Sequence, residues 1–256
     1  MNNNYILETH HLTKEFKGFT AVDDVSLNIR RGHIHALIGP NGAGKTTVFN
    51  LLTKYLIPTS GKILFNGRDI TAVESSAIAR QGLVRSFQIS AVFPNLTVLE
   101  NVRVALQQRE GNSFHFWKPE SVLERLNERA EQLLEAVGLQ DFARVVTVDL
   151  SYGRKRALEI ATTLALDPEM LLLDEPTQGM GQEDVERTAD LIRTVAVNRT
   201  ILMVEHNLKV VSQLADRITV LQRGAVLTEG DYATVSADPR VREAYLGVAA
   251  DKEAVA

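Results

Sequence analysis

The sequence contains no cysteine. Disulfides and thiolate-held metals are therefore excluded, which fits a reducing compartment. No apolar run approaches the ~18 residues that a membrane-spanning helix requires. The opening Met-Asn-Asn-Asn-Tyr has neither the charged nor the apolar region of a signal peptide. The expected location is the cytosol, unless another chain carries the protein to a membrane. Concentrated basic charge is also scarce: the net charge is −4 and the pI is near 5.9, which argues against a broad nucleic-acid footprint. Arg154-Lys155-Arg156 is the one tight basic cluster, and its expected place is the solvated side of a helix. What the chain has in quantity is apolar content. At 45% over 256 residues, it suffices for the core of one large domain or two small ones.

The most informative stretch is Gly39-Pro40-Asn41-Gly42-Ala43-Gly44-Lys45-Thr46-Thr47. Its two outer glycines, followed by Lys and Thr, fit the P-loop pattern. Ile34 to Ile38 reads as a buried strand and Thr46 to Thr53 as an opening helix, so the motif lies between the elements it needs. Glycines allow positive φ and close approach to an anion, and the first helical turn points unpaired N–H groups at it. Lys45 adds a point charge for the β and γ phosphates, and Thr46 offers a hydroxyl to Mg²⁺. Nucleotide binding is the premise for everything that follows.

Residues 5–12 and 22–29 alternate as strands of an antiparallel sheet around a Lys17-Gly18 turn, and Asn66-Gly67 signals a hairpin. Phe16, near the P-loop, either stacks on a purine or closes a sheet edge. His33 and His35 share a strand face, where packing is the expected role. A short helix at 74–81 precedes a strand at 83–87 that ends at Gln88, whose amide oxygen can ligate Mg²⁺ or hold a water. Helices follow at 97–108 and 120–137, with Thr97 and Ser121 near their starts. The connector between them carries Phe114, Phe116 and Trp117, as a packed loop or a contact surface. Leu150-Ser151-Tyr152-Gly153 opens a helix reaching Leu166, with Ser151 as N-cap and an anion-attracting end. Met170 to Leu173 leads into Asp174-Glu175-Pro176, the Walker B arrangement. There Asp174 serves Mg²⁺, and Glu175 orients or deprotonates the attacking water. A helix at 182–197 and a strand at 200–204 bring the chain to His206, at a strand end where phosphates of a doubly wound sheet gather.

Taken together, Gly39–Thr47, Gln88, Leu150–Gly153, Leu171–Pro176 and His206 resemble, in order and spacing, an ABC-transporter nucleotide-binding subunit. The resemblance runs from about residue 5 to residue 247. It implies one ABC ATPase domain over 5–247, followed by a tail at 248–256. That domain would have an α/β P-loop (RecA-like) core, an antiparallel β subdomain and an α-helical subdomain at about 89–165. It also implies ATP and Mg²⁺ as ligands. On the matching positions Phe16 becomes the adenine-stacking aromatic, Gln88 the Q-loop glutamine, Glu175 the catalytic base and His206 the switch histidine. Ser151 and Gly153 become phosphate contacts for a second subunit. Two positions depart from the family pattern. The signature reads Leu150-Ser151-Tyr152-Gly153-Arg154 instead of Leu-Ser-Gly-Gly-Gln, and Gly181 replaces the aspartate usual after Walker B.

Three functions compete. An ATPase subunit of a membrane importer needs permease subunits on other chains, a second ATP-binding subunit and, indirectly, an external solute-binding protein. It would sit peripherally on the cytoplasmic face of the inner membrane, with its permease contact expected near Ile89–Leu99. A soluble ABC ATPase acting on nucleic acid or ribosomes generally carries two cassettes or a long coiled-coil insertion, and neither is visible. A generic P-loop kinase or GTPase leaves the signature unexplained. Val84–Gln88, Phe93–Val102, Leu150–Gly153 and Glu243-Ala244-Tyr245-Leu246-Gly247 resemble the branched-chain amino-acid importer subfamily, with urea and amide importers as near relations.

Overall fold

An N-terminal run with alternating burial folds back on itself. In the computed structural model, which describes residues 4–86, 92–109 and 126–245, β1 (Tyr5–Phe16) is the spine of an antiparallel sheet. It pairs with β2 (Phe19–Val25) and β3 (Asn28–Arg30) on one side and β5 (Ser60–Phe65) on the other, and β5 pairs with β6 (Arg68–Asp69). Both tight turns use left-handed backbone, at Lys17-Gly18 and Asn66-Gly67. Residues 22–29, expected as one strand, form two. Asp24 takes a φ of 52°, and the Thr9 hydroxyl donates to the Val25 carbonyl (3.0 Å) while accepting from the Leu27 N–H (2.8 Å). A side chain thus fills the place of a ladder bond and interrupts the strand.

The second sheet is mostly parallel. Its order is β11 (Ala225–Gly230), β10 (Arg217–Gln222), β4 (Ile34–Ile38), β9 (Thr200–Val204), β8 (Met170–Asp174), β7 (Leu83–Ser86), with only the β10–β11 pair antiparallel. All five residues of β4, β8 and β9 are buried, as expected of strands covered on both faces. Alternate side chains supply two cores. Ala36, Leu171, Leu173, Ile201 and Met203 pack with α3 (Val98–Arg109), α4 (Asn127–Ala136), α5 (Tyr152–Leu164), α6 (Gln182–Val195) and α7 (Leu208–Leu214). Leu37, Leu172, Leu202 and Val204 face α1 (Lys45–Leu52), α2 (Ser75–Arg80) and the antiparallel sheet, where Phe49, Phe65 and Ile78 are buried.

Helix starts follow local chemistry. Thr97 and Glu100 form a capping box at α3: the Glu100 carboxylate accepts from the Thr97 N–H (2.7 Å), and the Thr97 hydroxyl from the Glu100 N–H (3.2 Å). Ser121, the aromatic segment 114–117, Gln88 and the tail at 248–256 lie outside the described residues. Among the described residues no helix is long and apolar enough to cross a membrane.

Candidate active site

The three central strands deliver the site. β4 ends at Ile38 and the chain turns through Gly39–Gly44 into α1, while β8 ends at Asp174 and β9 at Val204, two residues before His206. Ligands of open α/β sheets collect at these carboxyl ends.

Gly44 occupies the N-cap of α1 with φ of 100° and no side-chain cap, so the first-turn N–H groups remain available to an anion. A Cβ at Gly44 would stand 2.6 Å from the Ala21 carbonyl oxygen, and one at Gly39 only 2.2 Å from that of Leu221. Any other residue would therefore push the loop away from its supports. The Lys45 ammonium donates to the carbonyls of Gly39 (2.7 Å) and Pro40 (3.0 Å). Burial lowers its pKa from the ordinary lysine value, against the opposing pull of Glu175 and Asp174. A cleft of about 320 Å³ lies over the loop, lined by Asn41 to Thr47, by Glu175 and His206, and by Ala21 and Phe19.

Glu175 has left-handed backbone, φ 46°, and its N–H donates to the Val204 carbonyl (2.9 Å). Its carboxylate is hydrogen-bonded to Nε2 of His206. Glu205, which the sequence reading does not nominate, sets that partnership. Its buried carboxylate accepts from the Thr177 N–H (3.0 Å) and hydroxyl (2.6 Å), and its other oxygen from the N–H groups of His206 (2.9 Å) and Asn207 (3.1 Å). One carboxylate thus fastens the loop after β8 to the loop after β9. No motif signals it, because Thr177, the partner that makes it a bridge, lies in a different segment.

Asp174 sits behind the cleft. Its carboxylate is ion-paired with Arg85 of β7, and its main-chain carbonyl accepts from Nη2 of Arg156 (2.9 Å). Arg156 also donates from Nη1 to the Glu159 carboxylate (2.6 Å), and both side chains are buried. The expected solvated placement of 154–156 is therefore corrected at Arg156, while Arg154 is exposed and Lys155 half-buried. Successive helical residues diverge by about 100°: Arg154 stacks over the Phe142 ring at 4.0 Å, Lys155 donates to the Val148 carbonyl (2.9 Å), and Arg156 turns inward.

The remaining nominated residues divide. Ser151 and Gly153 do not line the cleft: Ser151 is exposed as the N-cap of α5, and a Cβ at Gly153 would meet the Asp184 carboxylate at 2.9 Å. Phe16 also does not line it, and Lys14 lies 5.0 Å over its ring. Its cross-strand partner Phe19, 67% exposed, does line it. A two-residue turn puts Phe16 and Phe19 opposite one another, which was the available signal. His35 is buried and bonded to the Thr219 hydroxyl (2.8 Å), and burial pushes its pKa down to about 4.

A glycine-rich turn into a helix, a buried strand ending in two carboxylates and a parallel sheet together define a P-loop nucleotide hydrolase. Comparison with known proteins narrows this. Residues 22–178 match the ABC transporter family, and residues 225–251 match the branched-chain amino acid ATP-binding cassette transporter family. The high-affinity branched-chain amino acid transport ATP-binding protein BraF of Pseudomonas aeruginosa is 38% identical over 251 residues, which is 95% of this chain and 98% of that protein. The ADP conformation of an ATP-binding cassette of an ABC transporter superposes with a TM-score of 0.83 at 29% identity, covering 95% of this chain and 99% of the other. A dimeric ATP-binding cassette in a post-hydrolysis state, bound to ADP and phosphate, gives 0.74 at 26% identity, covering 88% and 98%. The chain belongs to the ABC transporter family. It is an ATPase, and its nucleotide-binding fold is that of the family's cassettes.

Proposed function

We propose that the chain is the ATP-binding subunit of an importer for branched-chain amino acids. One observation carries the cargo: residues 225–251, beyond the general ABC transporter match, match the branched-chain family specifically. The likeness to BraF over nearly the whole chain supports the same reading. An ATPase of this kind works with permease subunits on the cytoplasmic face of the inner membrane, where an external solute-binding protein presents the cargo from the other side. The domain reading of 5–247, with a helical part at about 89–165, belongs to the same proposal.

Within the cleft, the N–H groups of Gly42–Thr47 and the Lys45 ammonium hold the β and γ phosphates. The adenine lies toward the β1–β2 hairpin, where Phe19 faces the cleft and Phe16 stands opposite it. The donor set suits Mg²⁺: Asp174 is a buried carboxylate already matched to a cation, and Thr46 adds a hydroxyl exposed in the cleft. Thr46, Asp174 and Gln88 are the residues that would hold the ion, which when bound offsets charge on the phosphates. Glu175 takes the proton of the attacking water as its oxygen bonds to the γ-phosphorus and the bond to ADP breaks. His206 orients that carboxylate and reaches the γ-phosphate.

The site needs a second copy. ATP carries about −4, of which Mg²⁺ offsets two, Lys45 one and the α1 dipole about half of one. The Ser151–Gly153 end of α5 stands outside its own cleft with Ser151 exposed, so it serves the nucleotide of the partner. The permease contact falls near residues 89–99. Phe93 there is exposed, held by Asn101 through its N–H (2.7 Å) and carbonyl (3.1 Å), and borders a groove of about 590 Å³ that Arg85 also lines. Arg85 therefore links the groove to Asp174.

Glu175→Gln is expected to bind ATP-Mg²⁺, hydrolyse it poorly and accumulate as a dimer in light scattering. A variant that stays monomeric under saturating ATP would count against the shared site. Reconstitution with the permease should move leucine, isoleucine and valine; movement of urea instead would keep the importer and overturn the cargo.

A further inference from the structure

We propose that Arg156 is a positioning residue for ATP hydrolysis, gripping the Asp174–Glu175 peptide so that the Glu175 carboxylate stays aimed into the cleft. The inference rests on the role proposed above for Glu175. A peptide unit is planar, so bonds at its two ends fix its rotation. Here the carbonyl end accepts from Arg156 Nη2 (2.9 Å), and the N–H end donates to the Val204 carbonyl (2.9 Å). Grip is needed because Glu175 is a non-glycine residue at φ 46°. That conformation is less favourable for a non-glycine residue than the ordinary regions. Rotating the 174–175 peptide by half a turn changes ψ of Asp174 and φ of Glu175 together. It would relax Glu175 to ordinary negative φ and break the bond to Val204 that holds Glu175 against the end of β9, two residues before His206. Both hydrogen bonds at the peptide oppose that flip.

A purely structural role explains Arg156 poorly. Its partner Glu159 is one turn away on the same helix, and both side chains are buried, with 6% and 9% exposure. The desolvation of such a pair offsets most of its attraction, so the pairing by itself adds little to the stability of the helix. What apolar residues cannot supply is a donor aimed at the Asp174 carbonyl. Arg156 also lies five residues after Ser151 on α5. The helix whose N-terminus is proposed to meet the partner's nucleotide is thus the one that orients the base in its own subunit.

The test replaces the pair together, Arg156→Met with Glu159→Met, so that no buried charge is left alone. The folded double variant should melt somewhat below the wild type, because the Asp174 carbonyl loses its donor, yet bind Mg-ATP within about twofold, while single-turnover hydrolysis falls about ten- to a hundredfold. Arg156→Lys, which preserves a charge for Glu159, carries the same readouts if the double variant fails to fold. Glu159→Gln alone should hydrolyse normally. In a Glu175→Gln background, removing Arg156 should cause no further loss, because the group it positions is already gone. Undiminished hydrolysis without Arg156, or an equal loss in the Glu175→Gln background, would overturn the proposal alone. Wild-type turnover by Glu175→Gln itself would overturn the role of Glu175, and this inference with it.

Discussion

The Arg85 guanidinium forms an ion pair with the carboxylate of Asp174, joining the edge strand β7 to the end of β8. Both groups are almost wholly withdrawn from water, with 11% and 3% exposure. Removing one partner strands the other. Arg85→Gln should therefore lower stability by roughly 3 kcal/mol in the absence of nucleotide. If Asp174 faces Mg²⁺ when ATP is bound, the variant regains a cation there. Scanning calorimetry should then show a larger Mg-ATP-induced rise in melting temperature for the variant than for the wild type, and equal rises would refute the exchange.

Lys45 and His206 should fail in different ways. Lys45 contributes charge to the bound ground state as well as to the transition state, so Lys45→Ala should weaken equilibrium binding of ATP. His206 is hydrogen-bonded to Glu175, the base proposed above, and its proposed contact with the γ-phosphate matters for turnover more than for binding. His206→Ala should bind ATP nearly normally and lose turnover. Measuring affinity and single-turnover rate on both variants decides the matter; equal losses of affinity would mean that the roles are misassigned.

His35 gives the fold a defined acid limb. Burial is the main cause of its low pKa, with Arg217 and His33 acting in the same direction and Glu229 opposing them. The unfolded chain takes up this proton near pH 6.5 and the folded chain only near 4, so stability rises with pH across that window. Acidification from pH 7.5 to 5 should cost about 2 kcal/mol from this group. Denaturant unfolding of wild type and His35→Gln at both pH values should give a smaller difference for the variant.

Phe93 and Leu96 offer a separate handle on coupling. Phe93 borders the groove and lies outside the nucleotide cleft. Alanine at either position should leave basal ATP hydrolysis intact and reduce transport in the reconstituted importer by about tenfold, the effect of losing ~1.4 kcal/mol at a docking contact. Transport at the wild-type level would move the docking surface elsewhere.

Motifs confined to one segment are legible in the sequence alone. The P-loop, Asp174-Glu175 at the end of an apolar strand, and Asn66-Gly67 each need only their immediate neighbours to be recognised. What escaped depends on distant segments. Arg156 looks solvated because its flanking residues are basic, and only the approach of β8 to α5 turns it inward. Glu205 is one carboxylate among many until the Thr177 loop folds over it. The break at Ser26-Leu27 follows from the hydroxyl of Thr9 on another strand. Phe19 was visible as an aromatic, but the direction it faces follows from the hairpin.

The strand order of the parallel sheet also has a consequence for synthesis. β4, which leads into the P-loop, is completed early, yet its two hydrogen-bonded neighbours are β9 and β10. Loops that close over such separations form slowly and late. A ribosome-bound chain therefore displays its phosphate-binding residues long before it can hold them, and the emergence of residues 200–222 marks the point at which the nascent protein first becomes able to bind nucleotide.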